Sequence, residues 1–174
     1  MWNVVIAGGG YGGLYAARAL ERKLPPNSAR VTLVNDTNFF LFTPLLPGAA
    51  GGTLEPRHVV VPLRDQLDQT DLRLGRVVGA NPDENCLVVH TLEGHEERLQ
   101  YDHLIVTLGS VALEALKRIQ YHELNLKESA ARIHSWNGRV LVPIYHPSPQ
   151  VLASHRREAE QLQDYKVVAK ALKL

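Results

Sequence analysis

The chain has 174 residues, of which 45% are hydrophobic and 21% are charged, with a formal net charge of +1 at pH 7. Its one cysteine, Cys86, excludes disulfides, cysteine-ligated clusters and C-x-x-C redox chemistry within the monomer and fits a cytoplasmic location. No run approaches the ~18 apolar residues of a membrane span. The N-terminus has no charged leader, so we expect neither a transmembrane segment nor a signal peptide.

Charge is unevenly distributed. Residues 1–110 carry 9 Lys and Arg against 12 Asp and Glu, a net charge of −3, whereas residues 111–174 carry 10 against 6, a net charge of +4. A basic C-terminal part indicates either a surface that faces nucleic acid or a solvated helix rich in lysine. Charge alone favours the solvated helix.

The most informative segment is the N-terminal NVVIAGGGYGGLYAARAL. The apolar run Trp2–Ala7 predicts a strand buried on both faces, and Gly12–Lys23 predicts a helix. Between them Gly8, Gly10 and Gly13 fit G-x-G-x-x-G, whose glycines permit a tight turn, approach to a pyrophosphate and close helix packing. The helix N-terminus then offers N–H groups and a positive dipole end to phosphates. The motif predicts dinucleotide binding; the alternative is a turn whose glycines serve packing only.

The end of the second predicted strand, Arg30–Val34, is where this motif requires an acid for the ribose. Asn35 stands there and is followed by Asp36. Asn35 can donate to and accept from a ribose, and Asp36 takes that role if the strand ends one residue later. The alternative for Asp36 is a turn residue. An acid here disfavours a 2′-phosphate, so FAD or NAD is favoured over an NADP-type ligand.

The rest of the chain predicts an α/β fold. Phe39–Leu46 is an apolar loop that packs against a flat ligand or covers the sheet edge. The fold class is a Rossmann-like, doubly wound, mostly parallel sheet with helices on both faces and a small antiparallel β-meander. The predicted parallel strands are Trp2–Ala7, Arg30–Val34, Tyr101–Leu108 and Arg139–Tyr145; the meander strands are Leu72–Val78, Cys86–Leu92 and Glu96–Gln100; two later helices are Val111–Ile119 and Val151–Leu174.

Residues 3–110 resemble the FAD-binding part of type II NADH dehydrogenases, which belong to the pyridine nucleotide-disulfide oxidoreductase-like flavoproteins. The resemblance lies in IAGGGYGGL, VTLVN, FLFTPLLPGAAGGTLEPRHVVVPLR and YDHLIVTLGS. It implies that the glycine turn holds the FAD pyrophosphate, the second strand ends at the adenosine ribose, the F-x-P-L-L loop lies near the flavin, and the strand ending T-x-G returns beneath the cofactor. Most members carry an acid in place of Asn35. The cofactor-binding residues implied are Gly8, Gly10, Tyr11, Gly12, Gly13, Asn35, Asp36, Pro44, Leu45, Val78, Thr107 and Gly109.

Residues 104–165 resemble the C-terminal half of the uracil-DNA glycosylase superfamily. The resemblance lies in LGSVALEAL and GRVLVPIYHPSPQVLASHRREAEQLQDY. It implies that His146 contacts a flipped uracil and acts as the catalytic residue, and that His146, Ser148 and Arg156 contact DNA. The superfamily's water-activating G-x-x-P-G-x-x-E motif has no match in this chain.

These observations predict two segments. Residues 1–110 form an FAD-binding Rossmann-like segment, and residues 111–174 form an α/β segment that completes the same sheet. The leading hypothesis is an FAD-binding, NADH dehydrogenase-like oxidoreductase. Residues 111–174 contain no second G-x-G-x-x-G, so FAD binding is predicted ahead of turnover. The alternatives are a glycosylase-like DNA-binding or base-excision module and a non-catalytic hybrid protein; no metal site is predicted.

Overall fold

The computed structural model describes residues 1–109, 128, 132–136, 139–142, 163 and 167. The chain divides into two units, Met1–Gly109 and Ser110–Leu174. The helix predicted at Val111–Ile119 lies outside the described residues. Of the helix predicted at Val151–Leu174, only Gln163 and Val167 are described, and both are helical.

The elements whose bounds the structure describes are ten strands, two α-helices and three short 3-10 turns. In chain order the elements are β1 (Trp2–Ala7), α1 (Tyr11–Lys23), β2 (Ala29–Asn35), β3 (Phe39–Leu41), α2 (Leu46–Ala50), β4 (Val60–Pro62), β5 (Asp71–Asn81), β6 (Cys86–Thr91), β7 (Glu96–Gln100), β8 (His103–Val106), β9 (His134–Trp136) and β10 (Arg139–Leu141). The 3-10 turns are Thr43–Leu45, Pro56–Val59 and Arg64–Gln66.

A six-stranded sheet in the order β7-β6-β5-β2-β1-β8 organises the first unit. β1 pairs in parallel with both β2 and β8, and β2 pairs in parallel with β5. The antiparallel strands β6 and β7 continue from β5 as a meander within this sheet. The predicted fold class, a mostly parallel Rossmann-like sheet with a small antiparallel meander, is confirmed.

Alternate residues of β1 face opposite sides of the sheet, because side chains along a strand point in opposite directions. Val4 and Ile6 belong to the cluster that also contains the buried face of α1. Val5 and Ala7 belong to a second cluster with Leu87 and Val89 of the meander, together with the buried Tyr101. In the described residues helix α1 therefore packs against one face of the parallel strands, and side chains of the meander pack against the other.

Helix α1 buries its apolar side against the sheet. Leu14, Ala17 and Leu20 are buried at spacings of three residues, which is the helical repeat of one face. The N–H of Leu24 donates to the Leu20 carbonyl at 2.9 Å and ends the helix just before Pro25. Helix α1 begins at Tyr11, one residue earlier than predicted.

Two predictions on local structure need correction. Arg139–Tyr145 was placed in the central sheet, but Arg139–Leu141 pairs antiparallel with His134–Trp136 in a separate two-stranded sheet. An apolar run fits either the central sheet or a small separate sheet, because apolar residues indicate that a strand is buried but not which strand it pairs with. Phe39–Leu46 is not a plain loop, because β3 pairs antiparallel with β4 before a 3-10 turn leads into α2.

Candidate functional site

The glycine turn follows β1 at the carboxyl edge of the parallel strands. The Gly8 N–H donates to the Val34 carbonyl at 2.8 Å, which ties the turn to β2. Gly8 has φ +105°, and a Cβ at this position would lie 2.5 Å from the Thr107 carbonyl oxygen. Both the left-handed backbone and the close approach of β8 therefore require glycine.

The third glycine of the motif allows α1 to approach the turn. A Cβ on Gly13 would overlap the carbonyl oxygen of Gly8 and would lie 2.9 Å from the Thr107 hydroxyl oxygen. A side chain of any size would push the first turn of α1 away from β1. Gly13 thus sets the distance between helix and strand.

Gly10 has a different environment from Gly8 and Gly13. A Cβ at this position would have no atom within 4 Å, and its backbone is extended with φ −73°. The first N–H groups of a helix have no intrahelical partners, and among the described residues no side chain caps α1 and no acid lies in its first turn. The open space beside Gly10 therefore faces an uncapped, positive helix end, which is the arrangement that binds a phosphate group.

Thr107 fastens the end of β8 to this turn. Its N–H donates to the Ala7 carbonyl at 2.8 Å. Its hydroxyl lies 2.9 Å from the Ala7 carbonyl and 2.8 Å from the Gly8 carbonyl and donates to this pair. Gly109, two residues on, has φ +82°, a backbone conformation that favours glycine.

The side chain of Asn35 bridges the glycine turn and the turn after β2. Its Oδ1 accepts the Gly9 N–H at 2.8 Å. Its Nδ2 donates to the carbonyl and the hydroxyl oxygen of Thr37, at 3.0 and 3.1 Å. Asp36 is exposed, and its carboxylate has no hydrogen bond or ion pair with the described part of the chain. The two residues predicted to meet the ribose thus differ: one is engaged with the protein and the other is open to solvent.

Three aromatic rings position the predicted flavin loop against α1. Tyr11 and Phe40 pack edge to face with ring centroids 4.5 Å apart, and Phe42 lies 5.7 Å from Tyr11. Burial raises the pKa of the Tyr11 phenol, and a hydrogen bond with Thr43 opposes the rise. Sequence reasoning missed these contacts, although all three phenylalanines of the chain lie in residues 39–42. They fix the base of a loop whose tip, at Leu45, is 42% exposed.

Val78 lies on β5 beyond the last residue paired with β2. Asn35 pairs with Leu74, so Val78 projects four residues, roughly 13 Å, past the end of that pairing. The ladder with β6 shifts register between Val77 and Gly79, so Val78 is the bulged residue. Its side chain is 52% exposed. A bulge re-aims a side chain, and here it presents an apolar surface beyond the carboxyl edge of β2.

Glu21 is a further polar anchor that sequence reasoning missed. Its Oε1 accepts the N–H groups of Asp68, Gln69 and Thr70 at 3.1, 2.9 and 2.8 Å. Burial alone raises the pKa of Glu21, but these hydrogen bonds outweigh it and the net pKa is lowered. The carboxylate ties α1 to the segment that enters β5. No local signal marks a helix glutamate that contacts residues 47–49 positions away.

The remaining predicted site residues lie elsewhere. His146, Ser148 and Arg156, predicted for DNA contact, lie outside the described residues.

Within the described ranges no group of three or more His, Cys, Asp or Glu side chains is arranged to hold a metal ion. Cys86 is buried and free. In the same part of the chain no helix is long and apolar enough to span a bilayer.

Comparison with known proteins places this chain in a family. Residues 2–135 match the family model described as pyridine nucleotide-disulphide oxidoreductase. The chain is 32% identical over 115 residues to the external NADH-ubiquinone oxidoreductase 2 of Saccharomyces cerevisiae mitochondria, covering 62% of this chain and 20% of that protein. It is 36% identical over 111 residues to the type II NADH:quinone oxidoreductase of Mycobacterium tuberculosis, covering 62% and 23%. The chain thus spans about a fifth to a quarter of these relatives.

Solved structures give the same result for the fold. The sulfide:quinone oxidoreductase of Aquifex aeolicus superposes with a TM-score of 0.54 at 27% identity, covering 63% of this chain and 24% of that one. The NDH2 of Plasmodium falciparum, solved in complex with NADH, superposes with a TM-score of 0.55 at 24% identity, covering 62% and 22%, and supports the fold alone.

The glycosylase resemblance receives no support from these comparisons. The flavoprotein family model instead runs on to residue 135, into the range 104–165 on which that resemblance was based. The relatives are NADH dehydrogenases and related oxidoreductases, as the N-terminal motifs predicted. The chain belongs to the pyridine nucleotide-disulphide oxidoreductase family.

Proposed function

We propose that residues 1–109 bind FAD at the glycine turn and supply the flavin site of an NADH dehydrogenase-like oxidoreductase. The observation that carries this proposal is the open space beside Gly10 at the uncapped N-terminus of α1. Such a helix end stabilises a pyrophosphate, because its N–H groups donate to the phosphate oxygens and the positive end of the helix dipole attracts their negative charge.

The other predicted contacts are arranged in an order that suits one extended dinucleotide. Asp36, the exposed residue that follows β2, is next to the turn and suits the adenosine ribose. Val78, beyond that strand end, offers an apolar surface to an adenine ring. Pro44 and Leu45, in the 3-10 turn that follows Phe42 of the aromatic cluster, suit the flat flavin ring.

When bound, the flavin supplies the redox chemistry of the reaction, accepting a hydride from a nicotinamide and passing electrons to an acceptor. The chain's own residues bind and orient it. The N-terminus of helix α1 would stabilise the phosphates, Thr107 and Gly8 hold the turn, and the exposed Leu45 would offer an apolar contact to the ring. We do not propose DNA contact, and the cytoplasmic location stays a prediction, since relatives include mitochondrial enzymes.

The test is FAD uptake by the purified chain, followed by flavin absorbance and fluorescence titration. Gly10→Ala places a methyl group where the phosphate would approach. This methyl group contacts no protein atom within 4 Å. We expect its free energy of unfolding to change by less than about 1 kcal/mol. We expect its FAD affinity to fall about 10- to 100-fold, the loss of one hydrogen bond to a charged group.

Ser28→Ala is the control, because Ser28 lies before β2 at the opposite edge of the sheet and its hydroxyl donates to the Pro25 carbonyl, away from the glycine turn. It should leave FAD affinity unchanged. A folded wild-type chain that neither carries flavin absorbance nor takes up added FAD would overturn the proposal.

A further inference from the structure

Asn35 uses both ends of its amide on the protein itself. The acceptor Oδ1 takes the Gly9 N–H at 2.8 Å, and Nδ2 donates to the carbonyl and the hydroxyl oxygen of Thr37. The Thr37 hydroxyl in turn donates to the Phe39 carbonyl at 3.1 Å, at the start of β3. A chain of side-chain hydrogen bonds therefore joins the glycine turn to the strand that leads into the Pro44–Leu45 loop.

The fit around Gly9 is close. A Cβ on Gly9 would lie 2.8 Å from Asn35 Cγ and 3.0 Å from a methyl group of the buried Leu63. The Leu63 N–H donates to the Asn38 carbonyl at 2.9 Å. This bond joins the residue after β4 to the turn after β2. The amide of Asn35 is thus held in one orientation, and its contacts decide where the Gly9–Gly10 backbone lies.

Only an amide satisfies both sides of this arrangement. A carboxylate accepts from Gly9 but has no proton for Thr37, and it would place negative oxygen against the Thr37 carbonyl. Alanine loses both contacts. An acid at this position, which usually binds the ribose, would therefore lose the hydrogen bonds from Asn35 to Thr37.

We propose that Asn35 is a positioning residue of the dinucleotide site, acting through Gly9 and Thr37 and not through the ribose. This inference rests on the proposed function. The amide holds the glycine turn and the Thr37–Phe39 turn in one arrangement, and the phosphate contacts at Gly10 depend on it because sub-ångström misplacement weakens such contacts. The role requires the donor half of the amide as well as the acceptor half.

The experiment measures the affinities of ADP and 2′,3′-dideoxy-ADP for folded wild-type, Asn35→Ala and Asn35→Asp chains. We expect both substitutions to weaken both ligands by the same factor, about two- to tenfold for lost neutral hydrogen bonds. Asn38→Ala and Asn38→Asp are the matched controls, since the Asn38 side chain is exposed and has no hydrogen bond to the described part of the chain. They should change neither affinity by more than about twofold.

Three outcomes overturn the inference and leave the proposed function intact. A loss that disappears with the dideoxy ligand means that Asn35 contacts the ribose directly. An Asn35→Asp chain that binds ADP as the wild type does means that the acceptor alone suffices. Lower stability with unchanged affinities means a purely structural role. A wild-type chain that binds neither FAD nor ADP overturns the inference and the proposed function together.

Thr37→Val tests the same inference if the Asn35 variants do not fold. It removes the hydroxyl that accepts from Asn35 Nδ2 and donates to the Phe39 carbonyl, and it leaves Asn35 and the Thr37 carbonyl in place. We expect a smaller loss that is equal for the two ligands. Unchanged affinity for both would overturn the inference.

Discussion

Gly13→Ala and Gly12→Ala form a matched pair that isolates the packing of α1 against the glycine turn. Both residues lie in the first turn of the helix, so each substitution gains the same helix propensity, about 1 kcal/mol. They differ only in what the new methyl group meets. Any difference between the two variants therefore reports the contact with the turn and not the backbone preference of glycine.

At Gly13 the methyl group would overlap the Gly8 carbonyl oxygen and lie 2.9 Å from the Gly8 carbonyl carbon, where ordinary contacts begin at 3.4 Å. Both atoms are backbone atoms that Thr107 and Val34 hold in place. The helix must therefore shift, and it carries the buried Leu14 and Ala17 with it. Overpacking of this kind costs about 1–3 kcal/mol, and the rigid neighbour puts the loss at about 3 kcal/mol or more.

At Gly12 the nearest atom is the Thr107 Cγ2 at 3.2 Å, a side-chain methyl that can move by a few tenths of an ångström. The gain in propensity then nearly offsets the contact, and we expect a change within about 1 kcal/mol of wild type. Urea unfolding measures both free energies, with the slope checked to be unchanged. If Gly13→Ala is as stable as Gly12→Ala, the assigned helix-to-turn packing is wrong.

Two further substitutions test polar anchors. Glu21→Gln keeps an acceptor for Asp68–Thr70 but loses its charge. Since the folded pKa of Glu21 is lowered and the side chain is partly exposed, we expect a loss of stability at pH 7 of at most about 1 kcal/mol, which disappears as the pH falls through the lowered pKa; a deficit independent of pH would contradict this. Thr107→Val removes the hydroxyl that bonds the Ala7 and Gly8 carbonyls and should lower the unfolding free energy by about 1–2 kcal/mol, whereas Thr107→Ser should recover most of it; equal losses in the two variants would show that the hydroxyl bonds contribute nothing.

Local sequence patterns predicted the elements around the glycine turn well. Each of these elements has a signal that lies within a few residues: an apolar run for β1, a glycine cluster for the turn, and the repeat of Leu14, Ala17 and Leu20 for α1. Strand, turn and helix therefore follow from the sequence alone. The alternation in β6 and β7 likewise predicted the meander. These features depend on which residues must be buried, and the period of apolar residues carries that information.

The tertiary structure alone decided which groups meet. Asn35 is a candidate ribose ligand from its position, and only the folded chain shows that its amide bonds Gly9, 26 residues away. Glu21 bonds backbone groups 47–49 residues away, and Arg139–Leu141 pairs with a neighbouring strand where the central sheet was predicted. A polar side chain carries no period, and an apolar run fits more than one sheet, so neither reveals its partner before the chain has folded. The sequence by itself determined that a dinucleotide-type turn forms here; long-range contacts decided that Gly10 stays open while Gly8, Gly9 and Gly13 are closed in by the protein.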